Sequence, residues 1–337
     1  MSRIVAAWLD GFRRVLGVPA VIVGVLVATF LTALPLTLVM RGLLQDAFGR
    51  SQDAARMAES FHLDWWQEFA SQASGLGSTF GPSLIGFAAT MDNWSRLLDA
   101  GTLMAPLAAA VAVYLGAWVF LTGGILDRYA RQRPTRSVGF FSACGVFFFR
   151  FLRLAVVAGA AYWLLFTRVH PYLFDTWLDP LTDGLAVERT AFFWRLLMYA
   201  IFALLLAVVN LVMDYAKVRA VVEDRRSMVG ALVASLGFIV RHPGRVAGLY
   251  LLNALTFLVL IATWALVAPG VGGLGASMWL GLVVGQLYIL ARLVLKLQVL
   301  AAQTSLFQAA LAHAAYTAAP AAEWPESPAA ELIPSAE

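Results

Sequence analysis

Six stretches of this chain, 18–40, 102–124, 151–169, 192–213, 246–268 and 277–298, are almost continuously apolar. About 20 such residues in a helix cross a ~30 Å hydrocarbon layer. A helix is required because every backbone N–H and C=O must find its partner inside the segment. A barrel strand would instead alternate over about 10 residues. With 61% of its 337 residues hydrophobic, 13% charged and a mean hydropathy of +0.78, the chain is too apolar for a soluble domain. The reading is an all-α, polytopic membrane protein with six transmembrane helices. The first run lacks a short apolar core with a small-residue cleavage site, so it reads as a signal anchor.

Orientation follows from the cations, because cytoplasmic loops carry the excess of Lys and Arg. With the N-terminus inside, 17 of the 24 Lys and Arg residues are cytoplasmic, and that side carries +8 against −4 outside. The expectation is a multi-pass protein of a bacterial inner (cytoplasmic) membrane with both termini in the cytoplasm. A basic face beside anionic lipid, at about 1 kcal/mol per cation near the surface, explains the pI without nucleic acid. Membrane lipids, anionic on the cytoplasmic side, are therefore the expected partners. The one cysteine, Cys144, allows no internal disulfide or Cys-based metal site and reads as a small buried apolar residue.

The spans come in pairs with a common preface. Gly11-Phe12-Arg13-Arg14 precedes the first run, and Gly237-Phe238-Ile239-Val240-Arg241 precedes the fifth. Val138-Gly139-Phe140 leads through Arg150 and Arg153 into the third. Gly139 and Gly230, Arg150 and Arg241, and Arg128 and Arg219 are each 91 residues apart. These matches divide a six-helix domain over 1–317 into three parallel two-helix repeats, about 1–125, 126–215 and 216–317. Each repeat would be preceded by a cytoplasmic amphipathic helix. Residues 3–16, for example, put Ile4, Ala7, Trp8, Gly11, Phe12 and Val15 at helical spacing, too short to span and suited to the bilayer surface. The alternative is that each such stretch simply extends the span after it. His242-Pro243-Gly244 marks a break before the fifth span. Entry in one sense gives a pseudo-threefold axis along the membrane normal, with a central seam. Outside this plan lie an external insertion, 42–101, and an Ala/Pro/Glu-rich cytoplasmic tail, 318–337, expected to be disordered. The sixth span is expected to continue as helix to about His313.

No phosphate-cradling loop, Ser/His/Asp set or zinc motif occurs in the sequence. The chain is read as non-enzymatic, with no cofactor and no metal. Ionisable groups inside spans are costly and therefore informative. Asp127 and Asp214 close the second and fourth spans, while Arg292 and Lys296 lie in the sixth. With Asn210, Asn253 and Gln286 they form an expected intramembrane polar network, the acids meeting Arg292, Lys296 or the repeat arginines. Snorkelling of Arg292 and Lys296 to the interface is the competing reading. The cytoplasmic basic helices contribute Arg13, Arg14, Arg150, Arg153, Arg241 and Arg245. In the insertion, Glu59, Phe61, His62, Asp64, Trp65, Trp66, Glu68 and Phe69 form the densest polar-aromatic cluster. Adjacent tryptophans fit a short helix on the outer-leaflet aromatic belt. The alternative is a partner surface of His62, Asp64, Trp65, Trp66 and Glu68. The second external segment, His170 to Glu188, carries Asp175, Asp179 and Asp183 without calcium-loop spacing and reads as a solvated loop.

The stretch Asp214-Tyr215-Ala216-Lys217-Val218-Arg219-Ala220-Val221-Val222-Glu223-Asp224-Arg225, then Ala231-Leu232 and Phe238-Ile239-Val240-Arg241-His242-Pro243, carries a family likeness. It resembles bacterial six-helix integral membrane proteins related to the membrane domain fused to some glycerophosphodiester phosphodiesterases. The likeness covers roughly 210–260 and is topological elsewhere. It implies a shared fold; the sequence carries no soluble phosphodiesterase domain, so that activity is not expected. Two functions follow as expectations. The first is a scaffold or accessory subunit of a membrane assembly, docking a membrane-protein partner through the 42–101 insertion and the basic helices. The second is a transporter or lipid-handling protein using a polar seam between the repeats, with Asn210, Asn253, Gln286 and Arg292 in its cavity.

Overall fold

Prolines open the first and fifth spans, where a missing N–H costs nothing because the first turn leaves it unpaired anyway. The computed structural model describes residues 3–49, 51, 56, 62–80, 94–101, 104–132, 136–185, 187–267 and 276–313. Helix α1 (Arg3–Leu16) stops just before Pro19, which begins α2 (Pro19–Gly49). Helix α3 (Leu63–Gln72) is followed by a 3-10 turn at Gly75–Thr79. Helix α4 (Ala105–Arg131) ends at Gln132, whose φ of 53° is left-handed and incompatible with another helical turn. Helix α5 (Ser137–Leu164) runs on through two π-helical segments, Leu165–Val169 and Tyr172–Leu178, to Thr182. Helix α6 (Glu188–Val222) gives way to α7 (Met228–Arg241), whose cap is the Ser227 hydroxyl accepting from Gly230 N at 3.2 Å. Helices α8 (Pro243–Val267) and α9 (Ala276–His313) complete the fold. All regular structure among the described residues is helical, and six helices are long and apolar enough to cross a membrane. This is a multi-pass, all-α membrane protein. The tail 318–337 and residues Glu59 and Phe61 lie outside the described residues.

Tight packing is concentrated at one end of the molecule, called the basic end here because Arg14, Arg128, Arg150 and Arg219 gather there. Ile125, Leu126 and Tyr129 of α4, Tyr215 and Val218 of α6, and Leu297 and Phe307 of α9 are fully buried together. Around them α1 packs on α9, the start of α5 packs on α4, and α7 packs on α6. Small residues permit the approach. A Cβ added at Gly11 would lie 2.9 Å from the Ala302 Cβ and 3.0 Å from its backbone nitrogen. One added at Gly124 would lie 2.6 Å from the Cys144 sulfur and 2.8 Å from the Phe140 carbonyl oxygen. Away from this end the spans separate. Only 11–28% of each span's most apolar window is buried, and Leu204, Val259 and Leu266 stand exposed. Lipid is as apolar as leucine, so the hydrophobic effect gives the spans little reason to bury each other. At the basic end, where water reaches, each large side chain buried is worth roughly 1.5–3 kcal/mol.

Three expectations need correction. Helix α1 does not rest on lipid alone, because Ala7, Gly11 and Val15 are buried and its apolar face lies against α9. The amphipathic stretch of the second repeat is not a separate helix but the first part of α5. Its counterparts are cut off by Pro19 and by His242-Pro243, whereas Arg150–Leu154 contains no breaker. The segment after His170 is helical to Thr182 rather than a loop. Leu173 and Leu178 are buried against Met198 and Phe202 of α6, His170 stacks on Phe174 at 4.4 Å, and the His170 ring nitrogen meets the Leu98 carbonyl at 2.8 Å.

Candidate functional site: a cationic cavity among the spans

A half-open cavity of about 600 Å³ lies between α2, α4, α8 and α9. At 1.5 Å per residue, Asn253 sits about 15 Å along α8 from Pro243, and Thr29 about 15 Å along α2 from Pro19. Both residues lie inside the apolar spans, away from the helix ends. Its wall is mostly apolar, with Phe257, Ile289, Leu293, Leu295 and Val299, and its polar groups are few.

Those polar groups share one character. Lys296 donates to the Tyr114 hydroxyl at 2.7 Å and lies 4.8 Å and 3.4 Å from the ring centroids of Tyr114 and Trp118. The Arg292 guanidinium lies 5.6 Å from the Tyr288 ring centroid. Aromatic faces of this kind offset part of a cation's desolvation, up to about 2 kcal/mol each when water is excluded. Among the described residues no carboxylate pairs with either cation, so the cavity keeps two positive charges. Asn253 is buried, and neither its side-chain nitrogen nor its oxygen has a hydrogen-bond partner. An unpartnered buried amide costs roughly 1–3 kcal/mol. Gln298 is occupied, donating to the Trp8 carbonyl at 3.3 Å.

The expected polar network thus divides into separate parts. Asp214 pairs with Lys217 one turn on, at 2.6 Å, and accepts from Gln303 of α9 at 3.3 Å and from Asn210 at 3.5 Å. Asp127 pairs with Arg131 at 2.6 Å. Neither acid meets Arg292 or Lys296, because a base three or four residues along the same helix is already within reach. Gln286 is exposed on the outside of α9 and joins none of these groups. Asn253, Arg292 and Lys296 come together around the one cavity between α2, α4, α8 and α9. The missed residues are Tyr114 and Trp118. Their four-residue spacing on an apolar span was a visible sign, though one shared by any aromatic stripe.

Of the basic-helix residues, Arg14 is buried in bonds to Asp10 at 2.8 Å, the Tyr129 carbonyl at 2.7 Å and Gln308 at 2.8 Å. Arg150 pairs with Asp224 at 2.6 Å and lies over Phe147. Arg13, Arg153 and Arg241 are exposed, and Arg245 is half-buried. In the insertion, His62 caps α3 by accepting from Trp65 N at 3.4 Å, and Asp64 and Glu68 are exposed. Trp65 is buried, stacked on Phe48 at 4.5 Å and Phe69 at 5.3 Å, so it belongs neither to a lipid-facing belt nor to a partner surface. Trp66 donates to the Phe80 carbonyl at 3.2 Å. Near α6's other end, Tyr199 donates to Asp99, which also accepts from Ser95 at 2.9 Å. The Tyr199 hydrogen bond holds the Asp99 carboxyl below its ordinary range. No group of three or more His, Cys, Asp or Glu converges as a metal site among the described residues.

No protein-family model, curated protein or solved structure matches the chain.

Proposed function

We propose that this chain is a non-enzymatic lipid-handling protein that holds the anionic head of an amphiphile in the cavity between α2, α4, α8 and α9. The observation that carries the reading is the pair Arg292 and Lys296, without a carboxylate, beside the unpartnered Asn253 amide. Lys296 is half-buried and Arg292 is exposed, so both can give a carboxylate or phosphate charge-assisted hydrogen bonds. The apolar wall suits an acyl chain, and 600 Å³ lies within the roughly 300–1,000 Å³ usual for small-molecule sites.

The finer architecture belongs to the same proposal. Three hairpins enter a bacterial inner membrane in one sense, with both termini cytoplasmic. The cyclic pairing of α1 with α9, α5 with α4 and α7 with α6 supports a threefold plan, each amphipathic segment gripping the second span of the preceding unit. The parallel pairs Asp127–Arg131 and Asp214–Lys217 support it too. The resemblance over 210–260 extends the proposal to a fold shared with those six-helix membrane proteins.

The test is native mass spectrometry of the purified full chain with its copurifying lipids. An Arg292→Gln/Lys296→Met variant should lose an anionic lipid or fatty acid that the parent retains, while its unfolding midpoint holds or rises. Retention of the same anionic species by the variant would refute the reading.

The scaffold reading has one observation in its favour. The Phe48–Trp65–Phe69 stack fixes α3 as a rigid ledge on α2, beside a cavity of about 410 Å³ bordered by Asp46 and Glu68. Replacing Asp64 and Glu68 by Lys should then release a copurifying membrane partner.

A further inference from the structure

The basic end contains a second cavity, of about 310 Å³, where α1 ends, α2 begins and α4 ends. It is distinct from the first: Val18 at its edge and Thr29 in the other cavity are about 16 Å apart along the chain's helical rise. Its charges fall into two groups. Arg14 is fully engaged, bonded to Asp10, the Tyr129 carbonyl and Gln308. With its amide oxygen turned inward, Gln132 also accepts from Arg14 Nε at 3.2 Å and Nη2 at 2.9 Å. Asp10 is thereby neutralised, and Arg14 acts as a brace between α1, α4 and α9.

Arg13 and Arg128 are what remains. Arg13 is exposed, Arg128 is half-buried, and both border the cavity without a carboxylate partner among the described residues. With Arg14 and Asp10 they give the cavity lining a surplus of two positive charges, at the basic end of the molecule.

We infer that this cavity is a phosphate-binding site in which Arg13 and Arg128 clamp a phosphate oxyanion and Arg14 fixes the floor. Guanidinium suits the task because its planar fork meets two phosphate oxygens at once. The phosphate can come from the head of an anionic phospholipid or from free phosphate, and the chemistry is shared. The inference does not rest on the lipid cavity among the spans, since the two sites have no residue in common.

The experiment uses the detergent-purified full chain and an Arg13→Gln/Arg128→Gln variant. Phosphatidylglycerol is titrated in and retained lipid is counted by native mass spectrometry, with and without millimolar inorganic phosphate. Among the described residues neither arginine has a carboxylate partner, so the variant should fold with an unchanged unfolding midpoint. Its phosphatidylglycerol retention or phosphate-dependent stabilisation should fall about tenfold or more. Loss of lipid retention that phosphate cannot mimic assigns the site to the lipid head. Loss accompanied by phosphate competition in the parent assigns it to free phosphate. Equal retention and equal phosphate response in parent and variant would overturn the site, as would a parent that takes up neither probe. The Arg292→Gln/Lys296→Met variant should keep this response, so failure at one site is read separately from failure at the other.

Discussion

Two glycines on α4 should respond to the same substitution with opposite signs. At Gly116 an added Cβ meets nothing within 4 Å, so Gly116→Ala should gain the helix-propensity difference, up to about 1 kcal/mol. At Gly124 the same methyl would lie 2.6 Å from the Cys144 sulfur, 2.8 Å from the Phe140 carbonyl oxygen and 2.9 Å from the Phe140 ring. The sulfur and the ring can rotate, but the carbonyl is part of α5's backbone, so α4 and α5 must separate. Overpacking of this kind costs about 1–3 kcal/mol. The propensity gain is common to both variants and cancels in their difference. Gly124→Ala should therefore be less stable than Gly116→Ala by that same 1–3 kcal/mol. Unfolding of the micelle-solubilised protein in sodium dodecyl sulfate, followed by tryptophan fluorescence, measures the difference. Maleimide labelling of Cys144, buried at the α4–α5 contact, gives a local reading and should quicken in Gly124→Ala alone. Equal midpoints, or a more stable Gly124→Ala, would mean that the close approach of α4 and α5 does not hold the basic end together.

Asp214→Asn should destabilise the protein by roughly 1–3 kcal/mol in the same assay, because it strands the partly buried Lys217 ammonium without a counter-charge. Adding Lys217→Met should recover part of that loss; no recovery in the double variant would count against the ion pair. The Asp99 carboxyl is depressed in the folded state, so its contribution is fully present above the ordinary carboxylate pKa of about 3.9 and is lost as pH falls through the lower folded value. Asp99→Asn should flatten that acid-side loss of stability, by less than about 1 kcal/mol for so exposed a group, and an unchanged pH profile would exclude the Tyr199 contact.

How much of this could be read in advance differs from element to element. His242-Pro243 announced where α7 ends, because a missing N–H is a local property of the chain. The extension of α9 to His313 was legible for a similar reason, since nothing in Gln298–Gln308 breaks a helix. The π-helical run after His170 was not legible. Its Asp175, with Pro171, Pro180 and Gly184 around it, looks like part of a loop, and the packing of Leu173 and Leu178 on α6 accompanies the helix instead. Trp65 misled in the opposite direction, since its partner Phe48 lies far enough along the chain that no spacing rule links them.

The candidate sites divide along the same line. Arg292, Lys296 and Asn253 stood out as costly polar residues in apolar spans, yet Gln286 stood out equally and faces outward. Which of them share a cavity depends on how four helices rotate about their own axes.

The sequence alone determined that six helices must cross a bilayer, because length and apolarity act residue by residue and need no neighbour. Only the tertiary structure decided that α1 grips α9, that Asp214 binds Lys217 and Gln303 instead of Lys296, and that Arg292 and Lys296 border one cavity. Inside lipid the hydrophobic effect gives little guidance on which spans touch. That choice passes to close contacts such as Gly11 on Ala302 and Gly124 on Phe140, whose geometry exists only once the helices are assembled.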